Sequence, residues 1–258
     1  MSATLTLLVQ GVLGIALFFF VTTHFSILVA RHFALGGERS RHIYWIYRQP
    51  LLIRLTDRQF IANAILLFQY RRLTRRVLGP ACDICRGKKV LQVSCAFGDF
   101  TRALASCCSR LGEVYVFDLV HAELSNVRRK LEHAREARAC SLFQGDAVAM
   151  PLPDAAFDHV VSFFLFHELP PAHKRRVFAE CLRVLKPGGT FMYGEFHRPE
   201  TWLGRFWANF IFTVFEPFAR EMWTWDPLRE LDPEQWTTRR ERLLGGYFQV
   251  SFVQRRAA

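Results

Sequence analysis

From Thr4 to Ala30 the chain holds no Asp, Glu, Lys or Arg. A run of that length is sufficient to cross a hydrocarbon core of about 30 Å as a helix, so it reads as a transmembrane or membrane-embedded segment. No Lys or Arg precedes Arg31. A cleaved secretory signal would therefore lack its basic n-region, the apolar run is too long for one, and an import presequence would lack its arginines. No internal repeat, low-complexity tract or nucleic-acid motif is present. The seven cysteines are odd in number and scattered through predicted strands and helices. That excludes the framework of a small secreted scaffold and fits a reducing compartment. Cys82 and Cys85 make a single C-x-x-C with no second pair and no thioredoxin-like context, which reads as incidental.

What is present is apolar and basic together. The chain has 258 residues, 51% of them hydrophobic, with 25 Phe, a mean hydropathy of +0.08 and a net charge of +11. This length suits one α/β domain with an N-terminal extension. Arg71, Arg72, Arg75 and Arg76 directly follow an apolar segment, which points to a lipid headgroup rather than nucleic acid, with a solvated helix face as the alternative. Arg31, Arg39 and Arg41 follow the first apolar run and place the bulk of the chain on the cytoplasmic side of a membrane. In a eukaryotic source this would be the matrix side of the mitochondrial inner membrane. Tyr44, Trp45 and Tyr47 suit the headgroup layer. Asp57 can cap a helix in which Phe60, Ile61, Ala64, Ile65 and Phe68 recur at helical spacing, closed by Gly79 and Pro80. That helix either lies on the membrane or packs on the domain C-terminal to it. The expected organisation is a membrane helix at 1–37, a membrane-associated helical segment at 38–79, and a catalytic domain at 80–258.

From Lys88 short apolar segments alternate with amphipathic ones: KVLQVSCAF, EVYVFD, CSLFQGDA, HVVSFFLFH and TFMYGEF are strands, with helices between them. This pattern predicts an α/β fold with a doubly wound, Rossmann-like parallel sheet. An aromatic helical insert follows at 202–226, then a helix around 233–244 and a last strand, YFQVSFVQ. In such sheets ligands sit at the carboxyl ends of the strands beside the switch point. The loop after the first strand reads Ser94-Cys95-Ala96-Phe97-Gly98-Asp99, with one glycine where nucleotide loops carry several. Asp118 ends the second strand, where a carboxylate can accept from both ribose hydroxyls, and Asp146 follows the third, where it can accept from an adenine amino group. LKPGG at 185–189 stops a helix and turns into the fifth strand. His167, Glu168, Glu195 and His197 fall at the ends of the fourth and fifth strands. Imidazole and carboxylate together can bind a manganese-like divalent ion; equally, they can orient a substrate or cap a helix, and His167 can act as a general base.

In order, VLQVSCAFGD, VYVFD, QGDAVAMPLPDAAFDHVV and LKPGG resemble the class I S-adenosylmethionine-dependent methyltransferases across residues 86–256. That resemblance implies S-adenosylmethionine bound by Ser94, Cys95, Ala96, Phe97, Gly98, Asp118, Asp146 and Ala147. The family's usual acid and glycines are replaced here by Gln92, Ser94, Ala96 and Phe97. The altered loop, VRRKL at 127–131, FFLFHELP at 163–170, EFHRP at 195–199 and FEPFAREMW at 215–223 are similar to the rhodoquinone biosynthesis family of the RquA type, over residues 41–226. This implies conversion of ubiquinone to rhodoquinone, an amino group from S-adenosylmethionine replacing a ring methoxy group with the help of manganese (Mn2+). On this reading His167, Glu168 and Asp99 carry the chemistry, His167, Glu168, Glu195 and His197 hold the metal, and Asp99 contacts the cofactor amine or the metal. Trp202, Phe206, Trp207, Phe210, Phe212, Phe215, Phe218 and Trp223 offer an apolar lid or membrane-facing helix, with core packing as the alternative. Two other functions stay open: a conventional quinone or lipid methyltransferase, and a non-catalytic lipid-binding subunit of a quinone biosynthetic complex.

Overall fold

The computed structural model describes residues 3–33, 53, 57, 63–64, 66–85, 87–95, 99–108, 112–132, 140–214, 216 and 218–257; the side chains of 3, 16, 19, 22–33, 80–84 and 214 are not described. Five parallel strands, β1 (Lys89–Val93), β2 (Glu113–Asp118), β3 (Cys140–Gln144), β4 (Phe157–Phe163) and β5 (Leu185–Phe196), are extended by β7 (Phe248–Arg255) and β6 (Trp236–Leu243), each antiparallel to its neighbour. The spatial order is β3-β2-β1-β4-β5-β7-β6. The chain winds outward from β1 to β3 and then returns to β4 on the other side of β1. The switch point, and with it the crevice, therefore lies between β1 and β4.

The central strands are buried on both faces, which is why they read as nearly unbroken apolar runs. Val90 and Val161 face a layer that includes α2 (Tyr70–Ile84) and α3 (Phe100–Cys108). Leu91, Val160 and Phe191 face the layer of α5 (Pro171–Arg183). Helix α2 buries Tyr70, Leu73 and Val77 at helical spacing and leaves Arg71, Arg72, Arg75 and Arg76 exposed, so it packs on the sheet. It runs on through Gly79 and Pro80 to Ile84, because a proline's fixed φ is helical even though one ladder hydrogen bond is lost. Most of the expected helix upstream of it lies outside the described residues.

One expected element is of the other kind. The stretch around 233–244, read as a helix, is the edge strand β6, paired from Trp236 opposite Arg255 to Leu243 opposite Phe248. Its WTTRRERL sequence gains a ladder from β7 that the local charge pattern does not reveal, and its arginines protect an exposed edge from further pairing.

The aromatic insert is helix α6 (Trp202–Val214), followed by short 3-10 turns at Ala219–Trp223 and Pro227–Glu230. Phe212 is buried, whereas Trp202, Leu203, Phe206, Trp207 and Phe210 are exposed. The long helix α1 (Ala3–Phe33) lies against α6 and exposes Leu7, Leu8, Leu13 and Leu17 among others. Among the described residues no helix is long and apolar enough to cross a membrane, so the spanning segment expected over 4–30 has no support there beyond the helix itself.

A single buried cation fastens the insert. Lys174 of α5 is wholly enclosed, and its Nζ donates to the Phe218 carbonyl at 2.9 Å and to Glu221 Oε2 at 2.7 Å. Glu221 is partly exposed, so it can reach water if its partner is lost, whereas Lys174 cannot. Glu221→Ala should therefore cost about 3 kcal/mol in urea unfolding and Lys174→Met clearly less, since stranding a buried charge is the expensive half of the exchange. Equal costs would contradict this asymmetry.

Candidate active site

A cleft opens where the carboxyl ends of β1, β2, β3 and β4 meet. It encloses about 680 Å³, open mouth included, and its lining includes Ser94, Asp118, Leu119, Glu123, Asp146, Ala147, Leu165 and Glu168. Asp118 is its anchor. Its Oδ2 accepts the Cys95 N–H at 2.8 Å and its Oδ1 accepts the Val120 N–H at 2.8 Å, so the carboxylate ties the loop after β1 to the approach of α4 (His121–Leu131). Burial pushes this carboxyl up from the usual range, against the N–H groups of Val120 and Cys95 that favour the ionised form. Each oxygen keeps a further lone pair for a hydroxyl in the cleft.

The loop after β1 holds a strained residue. Ser94 has φ 69°, a left-handed conformation that glycine adopts freely and serine does not. Two contacts hold it there: its N–H donates to the Phe117 carbonyl at 2.8 Å, and the buried Gln92 donates Nε2–H to the Ser94 carbonyl at 2.9 Å. Gln92 thus uses its amide to brace the turn. Phe164, just past β4 on the other side of the crevice, has φ 57°. Strained backbone on both banks of the switch point is the usual mark of a functional site. Ala96, Phe97 and Gly98 lie outside the described residues. Asp99 is exposed at the start of α3, its carbonyl accepting the Ala103 N–H, and is not among the residues lining the cleft.

At β3 the glycine of QGDA has a steric duty. A Cβ on Gly145 would come within 2.5 Å of the Phe117 ring, so only glycine lets the chain pass over Phe117 and deliver Asp146 to the cleft. Asp146 Oδ1 accepts the Val148 N–H at 2.9 Å, and Ala147 lines the wall beside it.

The His-Glu residues separate into two groups. His167 is buried, with Nδ1 2.8 Å from Glu195 Oε1 and Nε2 3.9 Å from Glu168 Oε1. Glu195 Oε2 accepts the Phe196 N–H at 3.0 Å. The rings of Phe164 and Phe196 pack edgewise on the imidazole. Of these groups only Glu168 reaches the cleft wall, with His167 and Glu195 stacked behind it. Burial opposes the charge on His167, but the adjacent Glu195 carboxylate outweighs it and lifts the imidazole to about 9. His167 is thus an imidazolium at neutral pH, and the expected general base is instead a charged donor.

His197 does not join the cluster. The strand ends at Phe196, and His197 Nδ1–H turns to the carbonyls of Arg198 and Gly246, both at 3.1 Å. The four-residue manganese site expected at His167, Glu168, Glu195 and His197 is therefore not formed, and no group of three or more His, Cys, Asp or Glu among the described residues could hold a metal.

One acidic lining residue was not anticipated. Glu123 is in the first turn of α4, 2% exposed, and its Oε1 has no hydrogen-bond partner among the described residues. In sequence it passes for an acid complementing a helix N-terminus.

Residues 90–189 match the family model described as a methyltransferase domain. The fold is that of the methyltransferases. Among curated proteins, demethylmenaquinone methyltransferase of Bacillus mycoides (strain KBAB4) is 31% identical over 146 residues, covering 57% of this chain and 60% of that protein. Its counterpart in Bacillus cereus (strain AH187) is 30% identical over the same coverage. The chain thus spans about 60% of the length of the curated relatives it matches. Two solved structures share the architecture. A SAM dependent methyltransferase from Aquifex aeolicus has a TM-score of 0.54 at 19% identity, covering 80% of this chain and 98% of its own. The YcgJ protein from Bacillus subtilis has a TM-score of 0.56 at 14% identity, covering 71% of this chain and all of its own. The Rossmann-like methyltransferase fold implies S-adenosylmethionine as cofactor, and a cleft with Asp118 and Asp146 at successive strand ends fits its ribose and adenine.

The His167–Glu195 pair has a pH signature. Because the folded imidazole is raised above its usual 6.5, its stabilisation is complete below that pH and is lost as pH rises through about 9. Wild type should lose roughly 3 kcal/mol relative to Glu195→Gln between those limits, measured by urea unfolding across the range. A difference that stays flat with pH would remove the charged pair.

Proposed function

We propose that this protein is an S-adenosylmethionine-dependent transferase acting on a quinone at a membrane surface, and that its reaction is the amination of ubiquinone to rhodoquinone. The observation that carries the cofactor reading is Asp118 and Asp146 at successive strand ends, lining one cleft. The quinone reading draws on the demethylmenaquinone methyltransferases, whose names concern a quinone. Amination rests on the resemblance of the altered loop, FFLFHELP and EFHRP segments to the rhodoquinone biosynthesis family. The cofactor would supply the amino group that replaces a ring methoxy group. Within the protein, Glu168 faces the cleft and can accept a hydrogen bond from an amine, while the His167 imidazolium and Glu195 hold it in place from behind.

The membrane reading is supported by two features. Exposed Trp202, Leu203, Phe206, Trp207 and Phe210 on α6 form an apolar surface beside the exposed leucines of α1. Such a surface suits the headgroup boundary, and the exposed Arg71, Arg72, Arg75 and Arg76 of α2 suit anionic lipid. On this reading the protein sits on the cytoplasmic membrane with the catalytic domain on the cytoplasmic side, and takes a substrate whose isoprenoid tail stays in the bilayer.

The test is to incubate the full chain in lipid nanodiscs with ubiquinone and S-adenosylmethionine labelled with nitrogen-15 at its amino group, with and without manganese. Mass spectrometry should find labelled rhodoquinone. A methylated quinone instead would replace the proposal with a conventional methyltransferase. No turnover with vesicle binding retained would favour a non-catalytic lipid-binding subunit. In parallel, Asp118→Ala should weaken S-adenosylmethionine binding by about tenfold or more, as expected when a charged hydrogen-bond acceptor is lost. Unchanged affinity would remove Asp118 from the cofactor site.

A further inference from the structure

Among the described residues, the charged side chains lining the cleft are all acidic: Asp118, Glu123, Asp146 and Glu168, with no Lys, Arg or His. This is at odds with a chain of net charge +11. Four carboxyl groups around one small volume cannot all be ionised cheaply before a cation arrives, because burial and mutual repulsion both favour the neutral form.

Which acid holds a proton depends on the donors each one has. Asp118 receives N–H groups from Cys95 and Val120, and Asp146 receives one from Val148. Glu123 is 2% exposed, and its Oε1 has no donor among the described residues. The groups that face it come from every neighbouring element. Asp118 lies at the end of β2, the Cys95 thiol after β1, Glu168 after β4, Lys130 on its own helix, and Asp57 beyond it. Lys130 is paired with Asp57, and Asn126 donates to the same carboxylate at 2.7 Å, so the one cation near Glu123 among the described residues is already neutralised. Burial, with Asp118 next in weight, pushes Glu123 up to about 9.

We propose that Glu123 is the charge-sensing residue of this cleft: it is a neutral acid in the free protein and gives up its proton when a sulfonium-bearing nucleoside enters. The inference rests on the cofactor reading above. It adds that the cleft distinguishes S-adenosylmethionine, whose sulfur is cationic, from its thioether relative S-adenosylhomocysteine, whose sulfur is neutral. The carboxylate left by Glu123 pairs with the cation that displaced its proton, and the proton passes to solvent. The α-ammonium is common to both nucleosides, so with a neutral sulfur the additional cation is missing and Glu123 keeps its proton. The cost of the site falls on the empty protein, where the carboxyl is buried without a donor at Oε1.

Isothermal titration calorimetry of the full chain tests this directly. Titrations at about pH 7.5 in phosphate and in Tris, which differ in ionisation enthalpy, yield the number of protons released on binding. S-adenosylmethionine should release about 0.5 to 1 proton more than S-adenosylhomocysteine does. Glu123→Gln, which keeps the shape without the titrating group, should abolish that difference and weaken S-adenosylmethionine binding about tenfold, leaving S-adenosylhomocysteine within about twofold. The unliganded Glu123→Gln protein should melt higher, by roughly 5 °C at the same pH, since a group whose folded value lies above its unfolded one destabilises once pH exceeds the unfolded value. That melting point also confirms that the variant is folded. Equal proton release for the two nucleosides in wild type, or an unchanged difference in Glu123→Gln, overturns the inference while leaving the cofactor reading intact. No binding of either nucleoside to wild type overturns both.

Discussion

Two backbone N–H groups, from Cys95 and Val120, converge on the carboxylate of Asp118, and the cleft exists because they do. A buried acid at a strand end must be satisfied, and the donors that satisfy it belong to the loop after β1 and to the entry of α4. One side chain therefore sets the spacing of the two segments that bound the nucleotide site. With that spacing fixed, Ser94 can be held in a conformation its side chain disfavours, braced by Gln92 from the strand before it. Ser94 keeps this conformation through hydrogen bonds that a glycine in its place would have less need of.

Charge is distributed against the average of the chain. The surface of α2 and the edge strand β6 carry arginines, while the charged residues lining the cleft are acidic among those described and the α1–α6 face is apolar. These three surfaces suit three different neighbours: anionic headgroups, a cationic nucleoside and hydrocarbon. A composition summary merges them into one positive number and hides the acidic interior.

The parts legible in sequence are those governed by local period and by strand ends. Parallel strands buried on both faces read as apolar runs, so β1, β2, β4 and β5, with the acids that end β2 and follow β3, stand where the pattern predicts them. The departures come from long-range pairing. β6 carries a charge pattern compatible with a helix, and only the ladder to β7 makes it a strand. His197 stands two residues beyond Glu195, so strand alternation would put both on one face; the strand stops between them and a carbonyl at Gly246 takes the ring. Glu123 is illegible for another reason. An acid in the first turn of a helix is so often a solvated dipole partner that nothing local marks this one as enclosed.

The placement of β7 bears on how the protein is made. β5, which carries Glu195, pairs with β4 on one edge and with residues 248–255 on the other, and those residues follow β5 by about fifty positions in the chain. During synthesis the parallel half of the sheet can assemble while β5 still presents an open edge of main-chain donors and acceptors. The enclosure of His167 by Glu195 and Phe196 thus waits on the arrival of β7. Vectorial synthesis sets the order: the nucleotide half of the site can form on the nascent chain before β7 is made, and the edge of β5 beside the buried imidazole is covered afterwards.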